Sequence, residues 1–279
     1  MAITFIPEIW SAMMLESLKK ELVYAGPSVV NRDYEGEIQN QGDTVRIRSI
    51  SRPTVATYTK GSTTITPEQL TDAQRSLLID QAKYFAFEVD DVDQAQSPGG
   101  ELEAGLMEAV YALRDTADQY VAALYSGAAS ANQIGTVAVT TGALAYTQLR
   151  RLAVKLDEAN VPRQGRYVVV PPWYHGLLLE EDKFVRVDAS GTSEGLRNGL
   201  VGRALGFDVL VSNNAVLVTG DDHAVMAGYP KAIAFAEQIN KVEAYRPEDA
   251  FSDAIKGLHV YGAKLVRPDA IATVIASQT

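Results

Sequence analysis

Ser193 lies in the stretch GTSEG, residues 191–195, which has the G-x-S-x-G spacing of a nucleophile elbow. Asp221 or Asp222 followed by His223 or His259 would complete a serine hydrolase triad in the matching chain order. An elbow needs a buried apolar strand directly before the serine. The residues there, EEDKFVRVDAS, carry Lys183, Arg186 and Asp188, so a flexible Gly/Ser loop is the better reading. Asp91 and Asp93 open like a calcium loop, but Ala95 and Gln96 stand where a ligand and a glycine are required. The three histidines, His175, His223 and His259, form neither H-x-H nor H-E-x-x-H, so no local zinc pair is present. There is no Gly-Lys-Ser/Thr for a phosphate loop. Gly199, Gly202 and Gly206 do not fit G-x-G-x-x-G. His175 closes the run RYVVVPPWYH, yet it has no acid, base or metal partner nearby in sequence. The run reads as a core strand stopped by Pro171–Pro172, followed by a packed helical turn. No constellation for catalysis or for a cofactor emerges.

The elements that would position these residues follow from periodicity. Residues 1–42 combine a short amphipathic helix (Met13, Met14, Leu18, Leu22) with an irregular tail, as in an arm lying on another surface. Val45, Ile47 and Ser49 alternate with Arg46, Arg48 and Ile50, a strand with one charged face, which Pro53 stops. A Lys60–Gly61 turn follows. Phe85, Phe87 and Val89 alternate with Tyr84, Ala86 and Glu88 in a returning strand. The span 44–90 therefore predicts a long β-hairpin. Two strands alone are marginal in water, so this hairpin must lie on a second surface, and that surface can belong to a neighbouring subunit.

A long helix is predicted from 101 to Gly127, with Leu102, Leu106, Ala109, Leu113, Ala117, Tyr120 and Leu124 on one face and acids in its first turns. At about 1.5 Å per residue it is a rod near 40 Å long. A polar stretch leads to a second helix over 146–160 with a stripe of Leu149, Leu152, Ala153 and Leu156. Strands are expected at RYVVV, FDVLVSNN and AVLVTGDDHAVMAG. A two-strand meander turns at Arg246–Pro247, and a closing strand runs through DAIATVIAS. Helices and strands do not alternate regularly, so the fold class is α+β.

Bulk properties narrow the function classes. The chain has 279 residues and no cysteine, which removes disulfides, thiol catalysis and Cys-ligated metals. Its net charge of −10 argues against a nucleic-acid grip, which needs a basic footprint. The N-terminus has no basic leader region, Glu8 and Glu16 interrupt its apolar part, and no apolar run is long enough to span a bilayer.

Four segments, in order, resemble the major capsid proteins of tailed bacteriophages, the Hong Kong 97-type shell fold shared with encapsulin compartments. LLIDQAKYFAFEVDDVDQAQS, followed at once by the long helix, resembles the return of the family's extended E-loop into its spine helix. LRRLAVKLDEANVPRQGRYVVVPPWYHGLLLEED resembles a family helix, strand and proline-started turn. LRNGLVGRALGFDVLVSNN is similar to its glycine-spaced run into a strand. The segment from AIAFAEQ to DAIATV resembles the peripheral sheet and closing strand.

The resemblance implies an N-terminal arm at 1–43 and an E-loop hairpin at 44–90. It implies a peripheral domain with the spine helix at 91–134 and 223–262, and an axial domain at 135–222 and 263–279. It implies a non-enzymatic shell protein, assembled in the bacterial host cytoplasm into pentamers and hexamers. The shell would be an icosahedral virion capsid enclosing double-stranded DNA without sequence-specific binding, with no cofactor and no membrane. Arg46, Arg48, Arg52, Lys60, Arg246, Glu248 and Asp249 are the candidate residues for ion pairs between subunits. Some members crosslink a Lys to an Asn; Lys60 sits at the expected loop tip, but nothing local marks it as activated. The arm begins almost at Met1, so a separate scaffolding protein is expected, with portal and decoration proteins as further partners. The alternatives are an encapsulin-like shell around a cargo enzyme and, more remotely, a serine hydrolase using Ser193.

Overall fold

The computed structural model describes residues 23–33, 44–50, 54–61, 72–90, 101–180, 202–248 and 252–279. Its centre is a mixed sheet in the order β4 (Gln133–Ala138), β12 (Ile271–Ser277), β9 (Asp222–Gly228), β5 (Arg166–Val170), β7 (Phe207–Val211) and β6 (Arg203–Ala204), with β8 (Leu217–Thr219) paired to β9. β12 runs parallel to β4 and β5 parallel to β7; the other pairings are antiparallel.

β5 shows why this sheet forms. All of Arg166–Val170 is buried, because both faces are covered. Val168 and Val170 face Leu149, Leu152 and Leu156 of α2 (Gly142–Glu158) and Tyr174 and Leu178 of α3 (Pro172–Leu179). Tyr167 and Val169 face the other way, toward Tyr24, Val29, Ala117 and Val121. That second cover comes from the segment 23–30 and the C-terminal half of α1 (Glu101–Ala122).

Local chemistry sets the element ends. Thr141 Oγ1 caps α2 by accepting the N–H of Leu144 at 3.4 Å. Asn160 adopts φ 56°, and the Val161 N–H returns to the Leu156 carbonyl at 3.0 Å, closing the helix before Pro162. Arg166, 2% exposed, then wraps that end. Its guanidinium donates to Asp157 at 2.7 Å and to the carbonyls of Val161 at 2.6 Å and Pro162 at 2.9 Å. A buried cation is tolerable because its donors are used.

A second sheet, β10 (Ile233–Tyr245), β11 (Ser252–Leu265) and β3 (Gln81–Asp90), extends from the core. The N-terminal half of α1 covers one of its faces, with Leu106, Val110 and Leu113 against Val242 and Ile255 and with Phe85 and Phe87 alongside. Phe85, Phe87 and Val89 are half-buried while Tyr84, Ala86 and Glu88 are exposed, as their alternation requires. The third sheet is the hairpin of β1 (Thr44–Ile50) and β2 (Asp72–Leu78).

Several boundaries differ from the sequence reading. The hairpin returns in β2 and ends at Leu78; β3 leaves it and pairs with β11, where its phenylalanines meet α1. The polar stretch before α2 contains an edge strand, β4, whose residues are half-buried or exposed and so lack an apolar signature. α2 starts four residues before 146, at its Thr141 cap. α1 is α-helical over 22 residues, about 33 Å, and then tightens into a 3-10 turn at Ala123–Gly127. β9 sits inside the core sheet, so residues 223–228 go with that sheet and not with β10 and β11.

Leu149 is fully buried between α2 and the sheet. Leu149→Ala should therefore cost about 2–5 kcal/mol of protomer stability, measured as a lowered denaturation midpoint with an unchanged denaturant slope.

Candidate functional site

The most densely connected polar groups lie where the N-terminal segment, the long helix and both larger sheets meet. Asp118 points from the buried face of α1 and is 4% exposed. Its Oδ1 accepts the consecutive N–H groups of Val23 (3.1 Å), Tyr24 (2.7 Å) and Ala25 (3.2 Å). Its Oδ2 accepts from Asn214 Nδ2 at 3.0 Å, beyond the end of β7. Burial pushes the Asp118 carboxyl above its ordinary value, and the Asn214 and backbone donors pull it part of the way back.

A second knot ties the same segment to β10 and β11. Arg32 donates to Glu237 Oε1, and its guanidinium lies 5.2 Å from the centre of the Phe235 ring. His259 is fully buried with Nε2 3.3 Å from Glu237 Oε2, an ion-pair distance not aligned as a hydrogen bond. Burial pushes Glu237 up, but His259 and Arg32 together pull its carboxyl below the ordinary carboxylate value. The Tyr261 ring lies 5.0 Å from His259 and 5.5 Å from Tyr120, whose hydroxyl donates to Asp80 at 3.3 Å. Burial pushes the Tyr261 hydroxyl up to about 12.

The histidines lie on three different elements, α3, β9 and β11. His175 is half-buried, and burial lowers its basicity. His223 Nδ1 is 3.0 Å from the Asp221 carbonyl, and its ring packs 6.1 Å from Trp173. Ser193, like Asp91 and Asp93, lies outside the described residues. Among the described residues, no three His, Asp or Glu side chains converge as a metal site would need, and no helix is long and apolar enough to cross a membrane.

The residues expected at subunit contacts fall on two separate elements. Arg46 and Arg48 lie on β1 opposite Ser76 and Gln74. Lys60 is exposed in the turn with Gly61, which has φ 82°. Arg246 and Glu248 are exposed after β10. Arg52 and Asp249 lie outside the described residues. Asp118, Arg32 and Glu237 were not singled out by sequence. Their signal is an acid or a base inside an apolar pattern: Arg114 and Asp118 share the buried face of α1, and Glu237 follows AIAFA.

Asp118→Ala would strand three backbone donors and should destabilise the protomer by about 3 kcal/mol or more. Trypsin should then cut after Arg32 while 101–180 stays intact, as gel analysis and mass spectrometry would show. Asp118→Asn keeps the acceptor and should lose less. Glu237 has a depressed folded value, so its contribution is complete above pH 4.5 and is lost as pH falls through the folded value. Acid unfolding followed by circular dichroism should show that slope in the wild type, and Glu237→Gln should flatten it.

Comparison with known proteins places this architecture. A family model described as phage capsid protein matches residues 73–274. A chain in the solved structure of Mycobacterium phage Che8 is 36% identical, with 98% of both chains covered and a TM-score of 0.78. The asymmetric unit of the bacteriophage PhiM1 mature capsid contains a chain 19% identical, covering 89% of this chain and 88% of that one, with a TM-score of 0.69. A virus-like particle from Pyrococcus furiosus is 14% identical over 96% of this chain and 98% of that one, with a TM-score of 0.56. The last two likenesses concern the fold alone. No curated protein matches the chain significantly. With a family match over most of its length and 36% identity across nearly the whole of a phage chain, this chain belongs to the phage capsid protein family: it is a structural, non-enzymatic major capsid protein of the Hong Kong 97-type fold, whose copies form the icosahedral virion shell of a tailed bacteriophage.

Proposed function

We propose that copies of this chain assemble as hexamers and pentamers and that the β1–β2 hairpin of each reaches across a neighbouring subunit. The hairpin is the observation that carries this reading. Among the described residues its two strands pair only with each other, and every residue of the turn region 54–61 is exposed, including Val55 at 90% and Tyr58 at 65%. A lone two-stranded ribbon carrying exposed apolar groups needs a surface to lie on.

In this reading Arg46, Arg48, Arg52 and Lys60 on the hairpin pair across subunits with acids, and Arg246, Glu248 and Asp249 at the β10–β11 turn receive a neighbour. Each exposed pair contributes at most about 1 kcal/mol. Repetition through the shell makes such weak contacts cooperative. Sheet membership supports a hairpin at 44–80, a peripheral part at 81–132 and 233–265, and an axial part at 133–228 and 266–279, preceded by an arm. The net charge of −10 suits a wall that encloses double-stranded DNA without gripping it. A separate scaffolding protein, a portal and decoration proteins complete the proposed set of partners.

Electron microscopy of the purified full chain tests this reading. The wild type should form closed shells, tubes or rings. Replacing 54–61 by Gly and Ser should leave a folded protomer, judged by circular dichroism, that builds none of them. A wild type that stays monomeric at high concentration would overturn the reading. Shells that co-purify with protein cargo in place of DNA would favour a compartment.

A further inference from the structure

The root of the β1–β2 hairpin rests on a floor of small side chains. Leu77 and Ile79, both fully buried, insert beside Ala234, Ala236 and Val260. Ala236 and Gly262 are direct cross-strand partners on β10 and β11. A Cβ on Gly262 would overlap the carbonyl oxygen of Leu78 and stand 3.0 Å from the Cα of Ile79. Both obstacles are backbone atoms, so no change of rotamer relieves them. Gly262 is not among the glycines with positive φ, so the position needs glycine for space and not for its torsion. One residue further along the chain, Asp80 accepts the hydroxyl proton of Tyr120 on α1 at 3.3 Å. The next residue, Gln81, is already paired with Tyr261 on β11. The return strand of the hairpin is thus held from below by β11 and from the side by α1 over a very short stretch, and its direction is set there.

We propose that Gly262, assisted by the Tyr120–Asp80 hydrogen bond, is a positioning residue for shell assembly: it seats the hairpin root so that the distant tip meets the neighbouring subunit. The inference rests on the hairpin reaching that neighbour. A long lever turns a small tilt at the root into a large displacement at the tip, so a methyl group buried inside one protomer disrupts contacts between protomers. Gly257 provides the internal control. It lies on the same strand, but the nearest atoms a Cβ there would meet belong to the half-buried ring of Phe85 and not to the backbone of another strand.

The test compares the full-length wild type with Gly262→Ala, Gly257→Ala, Tyr120→Phe and the 54–61 Gly/Ser variant. Circular dichroism and melting report on the protomer; electron microscopy and sedimentation report on shells. Gly262→Ala should retain the wild-type fold while its yield of normal-diameter shells falls by about tenfold or more, because each weakened contact recurs throughout the assembly. Tyr120→Phe should shift yield or diameter in the same direction by less. Gly257→Ala should assemble normally below its own melting temperature. If the 54–61 variant builds normal shells, the reach to a neighbour is wrong. If that variant fails while Gly262→Ala and Tyr120→Phe both build wild-type shells, the seat alone is wrong. Should Gly262→Ala not fold, Tyr120→Phe decides, and wild-type shells from it would overturn the seat. Equal loss of assembly in Gly257→Ala and Gly262→Ala would also overturn it, since any disturbance of β11 would then suffice.

Discussion

The carboxylate of Asp118 is the constraint on which the protomer's geometry depends. It gathers three consecutive backbone N–H groups from a segment more than 90 residues away in sequence and an amide from the loop beyond the end of β7. A buried anion is costly unless its lone pairs are used, and here both oxygens are engaged. The segment 23–30 cannot shift along α1 without uncovering that charge. Because this segment and α1 together form one cover of the core sheet, the same interaction fixes how the helix lies on the sheet. The helix then runs outward to carry the second sheet, so its attitude at Asp118 becomes the attitude of the whole peripheral extension.

The Arg32, Glu237 and His259 knot works in the same way at the base of that extension. Replacing buried ion pairs with apolar side chains is often neutral for stability, whereas removing one partner is expensive. The value of such a knot is therefore geometric: one arrangement satisfies it, and sliding the N-terminal segment along β10 does not. The Asn31 N–H to Ile233 carbonyl bond at 2.8 Å and the Phe235 N–H to Asn31 carbonyl bond at 2.9 Å add a backbone register lock beside it. Tyr261 and Phe235 fill the space between the charges with rigid rings.

A shell protein must be rigid where it is a wall and extended where it joins its neighbours. The apolar clusters on the two faces of the core sheet supply the first property. In the proposed assembly the second comes from the β1–β2 hairpin, whose turn region 54–61 is exposed in a single protomer. Ala234, Ala236 and Gly262 allow its backbone to approach the sheet closely, and Leu77 and Ile79 clamp it there. In that proposed assembly, specificity is built from precise placement of weak surfaces rather than from any one strong contact.

Much of this was legible in the sequence. The stripes of α1 and α2, the buried strand at RYVVV, the proline-started turn after it and the meander at Arg246–Pro247 all follow from periodicity and from residues that restrict local torsions. So does the absence of a recognisable catalytic motif, and the order of the four segments carries the family resemblance. The tertiary structure decided what periodicity cannot express. An edge strand such as β4 has no buried face to betray it. The alternation in β3 is plain in the sequence, but alternation says nothing about which strand is its partner, and β11 takes it from the hairpin. Sequence also could not show that Asp118 serves residues 23–25, that Glu237 faces Arg32 and His259, or that Gly262 lies under Leu78. Each is a contact between residues far apart along the chain, and local composition sets only which face a residue takes, while packing and the need to satisfy buried polar groups determine what it meets.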